Sequence, residues 1–264
     1  MSLLWQNNQH QSGGKGMSKI EWTNKTWNPV TGCTKVSEAC QNCYAEVMAK
    51  RLSGMPASKE KYKDGFKVTL HPECLEEPLR WKKPCMVFVV SMGDLFHKDV
   101  PFSFIDRILN TVSRCSQHTF QILTKRPERM SEYFRKRYFG EGIENLWLGV
   151  TCESPLYYDR VKVLREIKVA PVRFISCEPL LGDMGNIDLS GIDWVITGGE
   201  SGTRARPTPI EYFRSLRNAC ARQKTPFFFK QWGTWGADGV KRSKYANGSL
   251  LDGREVKQYP EIKL

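Results

Sequence analysis

Residues 146–178 read LWLGVTCESPLYYDRVKVLREIKVAPVRFISCE, and they show the clearest pattern of secondary structure in the chain. An apolar run at 146–151 begins it, and a second run at 172–177 is followed by a single glutamate. Between the runs, four apolar residues recur at spacings that fall along one helical face: Leu156, Val161, Leu164 and Ile167. A strand, a helix and a second strand in this order form the repeating unit of parallel α/β proteins.

The same pattern extends in both directions along the 264-residue chain. Further strand-like runs lie at 86–91, 119–124, 193–197 and 226–230, with another near 27–32. Stretches of helical length lie at 39–53, 102–115, 127–138, 155–168 and 208–222. About seven βα repeats predict an α/β fold, a full or partial (β/α) barrel of parallel strands. An open doubly wound sheet is the alternative, because this periodicity does not distinguish the two.

Polar residues gather directly after the predicted strands. They form six short groups, at 91–94, 124–126, 151–153, 176–178, 197–200 and 230–232. The C-terminal ends of parallel strands carry the active site in barrels. The sequence therefore predicts a functional site at this end of the sheet.

The chain is predicted to fold as one domain with short additions at both ends. Residues 1–16 are rich in Gln, Asn, Gly and Ser without an apolar period, which predicts a disordered or added leader. The barrel domain is expected over 17–236, and 237–264 forms a polar C-terminal extension. The Lys-rich connection at 54–80 has no readable role.

Charge and hydrophobicity limit the partners. The longest apolar run, at 86–90, is far short of the roughly 20 residues that span a bilayer, so we expect a cytoplasmic protein without a membrane partner. The net charge of +12 favours encounter with a polyanion such as a nucleic acid or nucleotide. The alternative is a soluble protein whose positive charge has no role in binding a polyanion.

Three cysteines form the most specific motif. Cys33, Cys40 and Cys43 lie on a predicted loop that opens a helix, and nine cysteines in total is an odd number that favours thiolate–metal binding over disulfides. Three thiolates leave one iron of a four-iron cluster open to a small molecule. One alternative is a zinc site completed by His71, Cys74 or another distant ligand, and another is a set of structural cysteines without a metal.

Residues 22–46, WTNKTWNPVTGCTKVSEACQNCYAE, resemble the signature of a phage and bacterial three-cysteine-motif family. That family is largely uncharacterised and related to the radical S-adenosylmethionine superfamily. The resemblance spans residues 17–236 and continues at 123–127, 149–151, 176–180, 198–202 and 230–233. One departure is the spacing: the superfamily pattern is C-x3-C-x2-C with an aromatic before the third cysteine. Here the first gap is six residues, Asn42 precedes Cys43 and Tyr44 follows it.

The resemblance implies a radical-SAM-type barrel that binds a [4Fe-4S] cluster on the three cysteines. The cluster would reduce S-adenosylmethionine and yield a 5′-deoxyadenosyl radical. Residues at matching positions imply contacts with S-adenosylmethionine from Tyr44, Asp94, Thr151, Glu153, Gly198 and Gly199. For Asp94 the alternative is a cap of the next helix. A phage-encoded enzyme of this kind would act in the host cytoplasm.

Four residues at the strand ends are candidates for a part in the reaction: Lys125, Cys177, Glu178 and Glu200. A thiol at Cys177 could donate a hydrogen atom to a carbon radical, although a small buried side chain is the alternative for it and for Cys152. The two glutamates could equally form salt bridges. His97 could transfer protons or be structural. Residues 125–138 combine basic and aromatic side chains, which suits nucleic-acid contact or an ordinary exposed helix.

The leading hypothesis is a radical S-adenosylmethionine enzyme that modifies or repairs a nucleic-acid base or nucleotide, with DNA favoured. It would need an electron donor such as flavodoxin or ferredoxin. One alternative is a zinc-stabilised nucleic-acid-binding protein without catalysis. Another is a radical enzyme that acts on a peptide or small metabolite.

Overall fold

The structure is a computed structural model that describes residue 18, residues 20–138 and residues 142–261. Its strands are β1 (Lys25–Trp27), β2 (Val30–Thr31), β3 (Thr69–Leu70), β4 (Met86–Val89), β5 (Thr119–Thr124), β6 (Leu146–Thr151), β7 (Val172–Cys177), β8 (Trp194–Thr197), β9 (Phe227–Phe229), β10 (Leu250–Leu251) and β11 (Arg254–Glu255). Its α-helices are α1 (Tyr44–Ser53), α2 (Phe102–Ser113), α3 (Pro127–Arg137), α4 (Tyr158–Glu166), α5 (Ile210–Arg222) and α6 (Lys244–Asn247).

Seven parallel strands form one curled half-barrel, in the order β1-β4-β5-β6-β7-β8-β9. The order follows the chain without a reversal, whereas a doubly wound sheet has a switch point where the order reverses. Within the described residues β1 and β9 do not pair with each other, so the barrel is partial. The predicted α/β partial barrel is confirmed, and the doubly wound alternative is wrong.

The central strand β6 illustrates why the parallel strands of this sheet could be predicted from apolar runs in the sequence. All six of its residues are buried, because the sheet is covered on both faces. Leu146, Leu148 and Val150 belong to the core between sheet and helices. Trp147 points to the concave face, where Gly149 leaves room for Phe174: a Cβ at Gly149 would lie 2.5 Å from that ring.

The concave face is an aromatic wall rather than an open channel. Its buried aromatic members are Trp22, Phe88, Trp147, Phe174, Trp194 and Phe228. Trp194 lies at the centre, with ring centroids 5.7 Å from Trp147 and 5.8 Å from Phe228 in edge-on contacts. Such pairs pack a large apolar area in a fixed geometry. The polar site must therefore lie beyond this wall, at the C-terminal ends of the strands.

Segments near both ends of the described chain pack against the aromatic wall and the β9 edge of the half-barrel. Trp22 lies 4.7 Å from Phe88, and Tyr259 lies 5.1 Å from Trp194, between ring centroids. The Phe229 N–H donates to the Val256 carbonyl over 2.7 Å, which covers the exposed edge of β9. The predicted extension at 237–264 thus packs against the sheet as far as residue 259.

The predicted strand at 27–32 is divided between two sheets. The parallel strand β1 ends at Trp27, whereas β2 pairs antiparallel with β3. Pro29 has no N–H to continue the ladder. The Asn28 side chain takes its place, since its Oδ1 accepts from the N–H groups of Ser91 and Met92.

Candidate functional site at the C-terminal ends of the strands

The cysteine loop is fixed by backbone contacts at its start. The Gly32 N–H donates to the Met92 carbonyl over 2.8 Å, and the Cys33 N–H donates to the Phe66 carbonyl over 3.2 Å. Gly32 has φ +83°, and a Cβ there would lie 2.0 Å from the Lys67 carbonyl oxygen. Only glycine fits this position, so the 54–80 connection has the role of holding the cysteine loop against the sheet.

We expect Gly32→Ala to displace the cysteine loop, because it adds both a backbone clash and a left-handed strain. The loss in the free energy of unfolding should be about 3 kcal/mol. Gly65→Ala is the matched control: Gly65 also has positive φ, but nothing lies within 4 Å of its Cβ position, so we expect about 1 kcal/mol. Urea denaturation of both variants measures the difference, and equal losses would contradict the close-approach argument.

Cys33, Cys40 and Cys43 are the three partly exposed cysteines, and the other six are buried. All nine are free thiols. Cys43 precedes α1 directly, and Cys40 lies in a short 3-10 helix, Glu38–Asn42. The sequence prediction that these three thiols share a loop opening a helix is therefore matched by the structure.

Basic side chains lie beside two of the thiols. The Arg126 Nη1 donates to Cys33 Sγ over 3.3 Å. Burial, with the Asp94 carboxylate, raises the pKa of Cys33 to about 11 against the opposing effect of Arg126. Burial also raises the pKa of Cys40, but the Val36 amide and the Lys125 charge outweigh it, so that pKa is lowered.

Asp94 is a four-fold acceptor buried at the site. Thr124 Oγ1 donates to it over 2.7 Å and Arg126 Nη1 over 2.8 Å. The N–H groups of Phe96 and Lys125 complete the set. The carboxylate therefore holds Arg126 in place instead of capping α2, which begins eight residues later, at Phe102.

His97 is fully buried behind the cysteine loop. Its Nε2 lies 2.9 Å from Thr34 Oγ1, and its Nδ1 accepts from the Asp99 N–H over 3.2 Å. Burial, together with the Arg126 charge, lowers its pKa. A neutral ring that donates from Nε2 follows from this geometry, and it fixes Thr34 next to Cys33.

Glu200 ties the cysteine loop to the end of β8. Its carboxylate accepts from Arg206 Nη2 over 2.6 Å and from Asn42 Nδ2 over 3.1 Å. Burial raises its pKa, but the Arg206 and Asn42 donors outweigh this and hold the pKa below its usual value. Asn42, the residue between Cys40 and Cys43 that departs from the superfamily pattern, thus anchors the loop.

Glu178 forms a second ion pair at the mouth, with Lys230 Nζ 3.1 Å away. The Ser176 hydroxyl donates to the same carboxylate over 3.3 Å. A Cβ at Gly198 would lie 2.9 Å from Glu178 Oε1, and one at Gly199 would lie 1.9 Å from the Trp232 carbonyl oxygen. The two glycines therefore let the β8 end approach Glu178 and the 231–233 backbone.

Tyr44, Thr151 and Glu153 are the remaining residues that the sequence predicts to contact the cofactor. The Tyr44 hydroxyl donates to the Ser91 carbonyl over 2.5 Å, which places its ring between α1 and the β4 end. Thr151 is buried, and its carbonyl accepts from Arg160 Nη1 over 2.9 Å. Glu153 pairs with Arg160 through Oε2, while its buried Oε1 has no hydrogen-bond partner among the described residues.

Cys177 does not lie with the mouth residues. It belongs to the core between sheet and helices, on the opposite face from Phe174. Burial, together with neighbouring groups such as Cys152, raises the pKa of its thiol well above the usual value. Burial raises the pKa of Cys152 to about 12.

Alkylation should separate the two classes of cysteine. In the folded, metal-free protein we expect iodoacetamide to modify Cys40 and Cys43, and Cys33 more slowly because its pKa is raised, while Cys152, Cys177 and the other buried thiols react only after unfolding. Peptide mass spectrometry after a short pulse measures this. Rapid modification of Cys177 would show that it reaches the mouth.

Arg126 and Lys230 belong to the predicted strand-end groups 124–126 and 230–232, but neither is among the residues predicted individually for the site. The signal that could have found both is position: each is in a polar group at a strand end, opposite an acidic residue of another group.

A single metal ion and a four-iron cluster require different spacings of their protein ligands. Within the described residues no three His, Cys, Asp or Glu side chains are arranged to hold one metal ion. Tetrahedral Zn–S bonds of about 2.3 Å would require the sulfurs to lie within roughly 4 Å of one another. A four-iron cluster binds each thiolate to a different iron, so its ligands stand farther apart.

In the described ranges, no helix is long and apolar enough to cross a bilayer. Among curated proteins, none matches the chain.

Two solved structures of spore photoproduct lyase are similar to the chain. One, complexed with dinucleoside spore photoproduct, has a TM-score of 0.42 and 10% identity, over 78% of this chain and 63% of that one. A point mutant has a TM-score of 0.43 and 13% identity, over 87% and 71%. The chain thus spans less than two thirds of the first structure. Similarity at this level does not establish function.

The resemblance to the three-cysteine-motif family stays a prediction. The model of an uncharacterised family matches residues 17–260, nearly the whole described chain. The chain belongs to this family, whose description is Protein of unknown function (DUF5131).

Proposed function

We propose that the chain is a radical S-adenosylmethionine enzyme whose [4Fe-4S] cluster is held by Cys33, Cys40 and Cys43. One observation carries the proposal: three partly exposed thiols lie on one loop at the C-terminal ends of a (β/α) half-barrel, with Arg126 on Cys33 Sγ. When bound and reduced, such a cluster supplies one electron that cleaves S-adenosylmethionine to methionine and a 5′-deoxyadenosyl radical.

The chain's own residues support the site in two ways. Arg126 and Lys125 bring positive charge to the thiolates, and Glu200 with Asn42 anchors the loop between Cys40 and Cys43. Glu153 Oε1 is a buried acceptor without a described partner, which suits a hydroxyl donor of a bound nucleoside. Asp94 is saturated by protein donors, so we assign it to positioning Arg126 and not to the methionyl ammonium.

The zinc alternative has weaker support. His71 Nε2 lies 2.8 Å from Thr31 Oγ1 and its Nδ1 lies 3.3 Å from Glu73. Lys61 Nζ lies 3.3 Å from Cys74 Sγ. Both proposed fourth ligands therefore have protein partners of their own.

The proposed substrate is a nucleic-acid base or nucleotide, with DNA the first to test. The net charge of +12 supports it, as does Lys125, whose Nζ forms no ion pair with the described residues. Cations at the mouth would attract phosphates to the site.

Metal analysis after anaerobic reconstitution tests the proposal. We expect about four irons and four sulfides per chain, and release of 5′-deoxyadenosine when S-adenosylmethionine and dithionite are added. Deuterium transfer from labelled DNA into 5′-deoxyadenosine would identify the substrate class. A stoichiometric zinc that iron cannot replace would overturn the proposal.

A further inference from the structure

The outward face of α1 and of the turn after it is apolar although it is exposed. Tyr44, Val47, Met48 and Met55 are 54%, 66%, 40% and 44% exposed. Tyr44, Val47 and Met48 follow the spacing of one helical face, and Met55 lies in the turn after α1 ends at Ser53. We call these four residues the α1 stripe. The opposite face, with Ala45 and Ala49, packs against Tyr62 and Met92.

The apolar face of a surface helix usually packs against the hydrophobic core of the protein. Single exposed apolar side chains are ordinary on protein surfaces, whereas contiguous apolar patches mark interaction sites. Here Ala45, Ala49 and Leu52 of α1 pack toward the core, whereas Val47 and Met48 are exposed. The arrangement indicates a partner that covers the stripe.

The α1 stripe borders the cysteine loop. It begins at Tyr44, the residue after Cys43. Val36, between Cys33 and Cys40, is 44% exposed and extends the apolar surface onto the loop itself. A protein bound on this face would therefore lie next to the proposed metal centre.

The border of the stripe is basic. Lys50, Arg51 and Lys59 are exposed, and their side chains form no ion pair with the described residues. Glu46, the one acidic residue of α1, pairs with Lys35 over 3.2 Å. An acidic partner complements this border, whereas a second copy of the chain would bring like charges together.

The side chains favour a protein over a nucleic acid. Methionine and aliphatic side chains adapt to protein surfaces, whereas bases need aromatic faces for stacking, and the stripe offers one aromatic ring. Helix α1 has ten residues and is about 15 Å long, so the contact would be small. Small interfaces are typical of transient redox encounters.

We propose that the α1 stripe is the docking surface for a small acidic one-electron carrier protein. The inference rests on the proposed function, because it assigns the route by which the cluster is reduced. In the encounter the carrier loses one electron and the cluster gains it, with no atom transferred.

Reduction kinetics test the docking surface. Reconstituted protein is mixed anaerobically with reduced flavodoxin, and bleaching of the cluster absorption is followed at low and high salt. At low salt the Lys50→Glu/Arg51→Glu variant should be reduced about tenfold more slowly than the unaltered chain, and its rate should lose its salt dependence. Val47→Ser/Met48→Ser should also slow reduction, without changing the salt dependence.

Lys82→Glu/Lys83→Glu is the matched control, because these adjacent exposed lysines precede β4 at the other end of the sheet. It should keep the normal rate. Dithionite should reduce all variants equally, and a chain that dithionite does not bleach would contradict the proposed cluster and not the docking surface. Equal flavodoxin rates in the α1 and control variants would overturn the docking proposal. So would a loss of single-stranded DNA binding by the α1 variants while their flavodoxin rates stay normal, since the stripe would then bind nucleic acid.

Discussion

Replacing Cys33, Cys40 or Cys43 with alanine is expected to reduce bound iron from about four atoms per chain to less than roughly a tenth of that. In the proposed cluster each thiolate binds its own iron, so each substitution leaves one more iron without a protein ligand. Iron and sulfide are measured after anaerobic reconstitution. Release of 5′-deoxyadenosine should disappear with them.

Cys220→Ala is the control for this series. Cys220 is also a free cysteine, but it is buried in the core between sheet and helices. Its replacement should leave the iron content unchanged. Full iron in any of the three loop variants would contradict the ligand assignment.

Asp94→Ala is expected to lower the free energy of unfolding of the metal-free protein by about 3–5 kcal/mol. The Asp94 side chain is 7% exposed and that of Arg126 is 14% exposed. Removing the carboxylate leaves a buried guanidinium without its partner and three further donors unsatisfied. Urea denaturation measures the loss.

Two further variants test why Asp94→Ala should lose stability. Asp159→Ala removes an exposed pair with Lys162 and should leave stability nearly unchanged. The double variant Asp94→Ala/Arg126→Ala should be more stable than Asp94→Ala alone, because it removes the unpaired charge. A double variant that is less stable than the single one would refute the buried-charge argument.

The strands were predictable because the sheet is parallel and covered on both faces. Runs such as 146–151 and 172–177 are then mostly apolar or β-branched, and their bounds agree with β6 and β7. The bounds of β1, residues 25–27, could not be predicted. Its backbone pairing stops because the Asn28 side chain, and not the backbone, accepts from the neighbouring strand's end. Side-chain substitutes for backbone pairing leave no periodic signal.

Pairing at the strand ends was only partly predictable. The sequence shows that Asp94 and Arg126 follow different strands, but it does not show that they meet. The face of Cys177 was predictable, since residues alternate along β7 and Phe174 points to the concave side. The support of Cys33 by Phe66 was not, because the 54–80 connection has no apolar period.

The two ends of the described chain meet beneath the aromatic wall. Lys257 Nζ lies 2.9 Å from Glu21, and Trp22 and Tyr259 both contact Trp194. During synthesis the first strand must therefore wait for the residues around 257–259 before its surroundings are complete. Until then Trp22, Trp194 and the β9 edge stay uncovered on the nascent chain, which makes this the stage most exposed to aggregation.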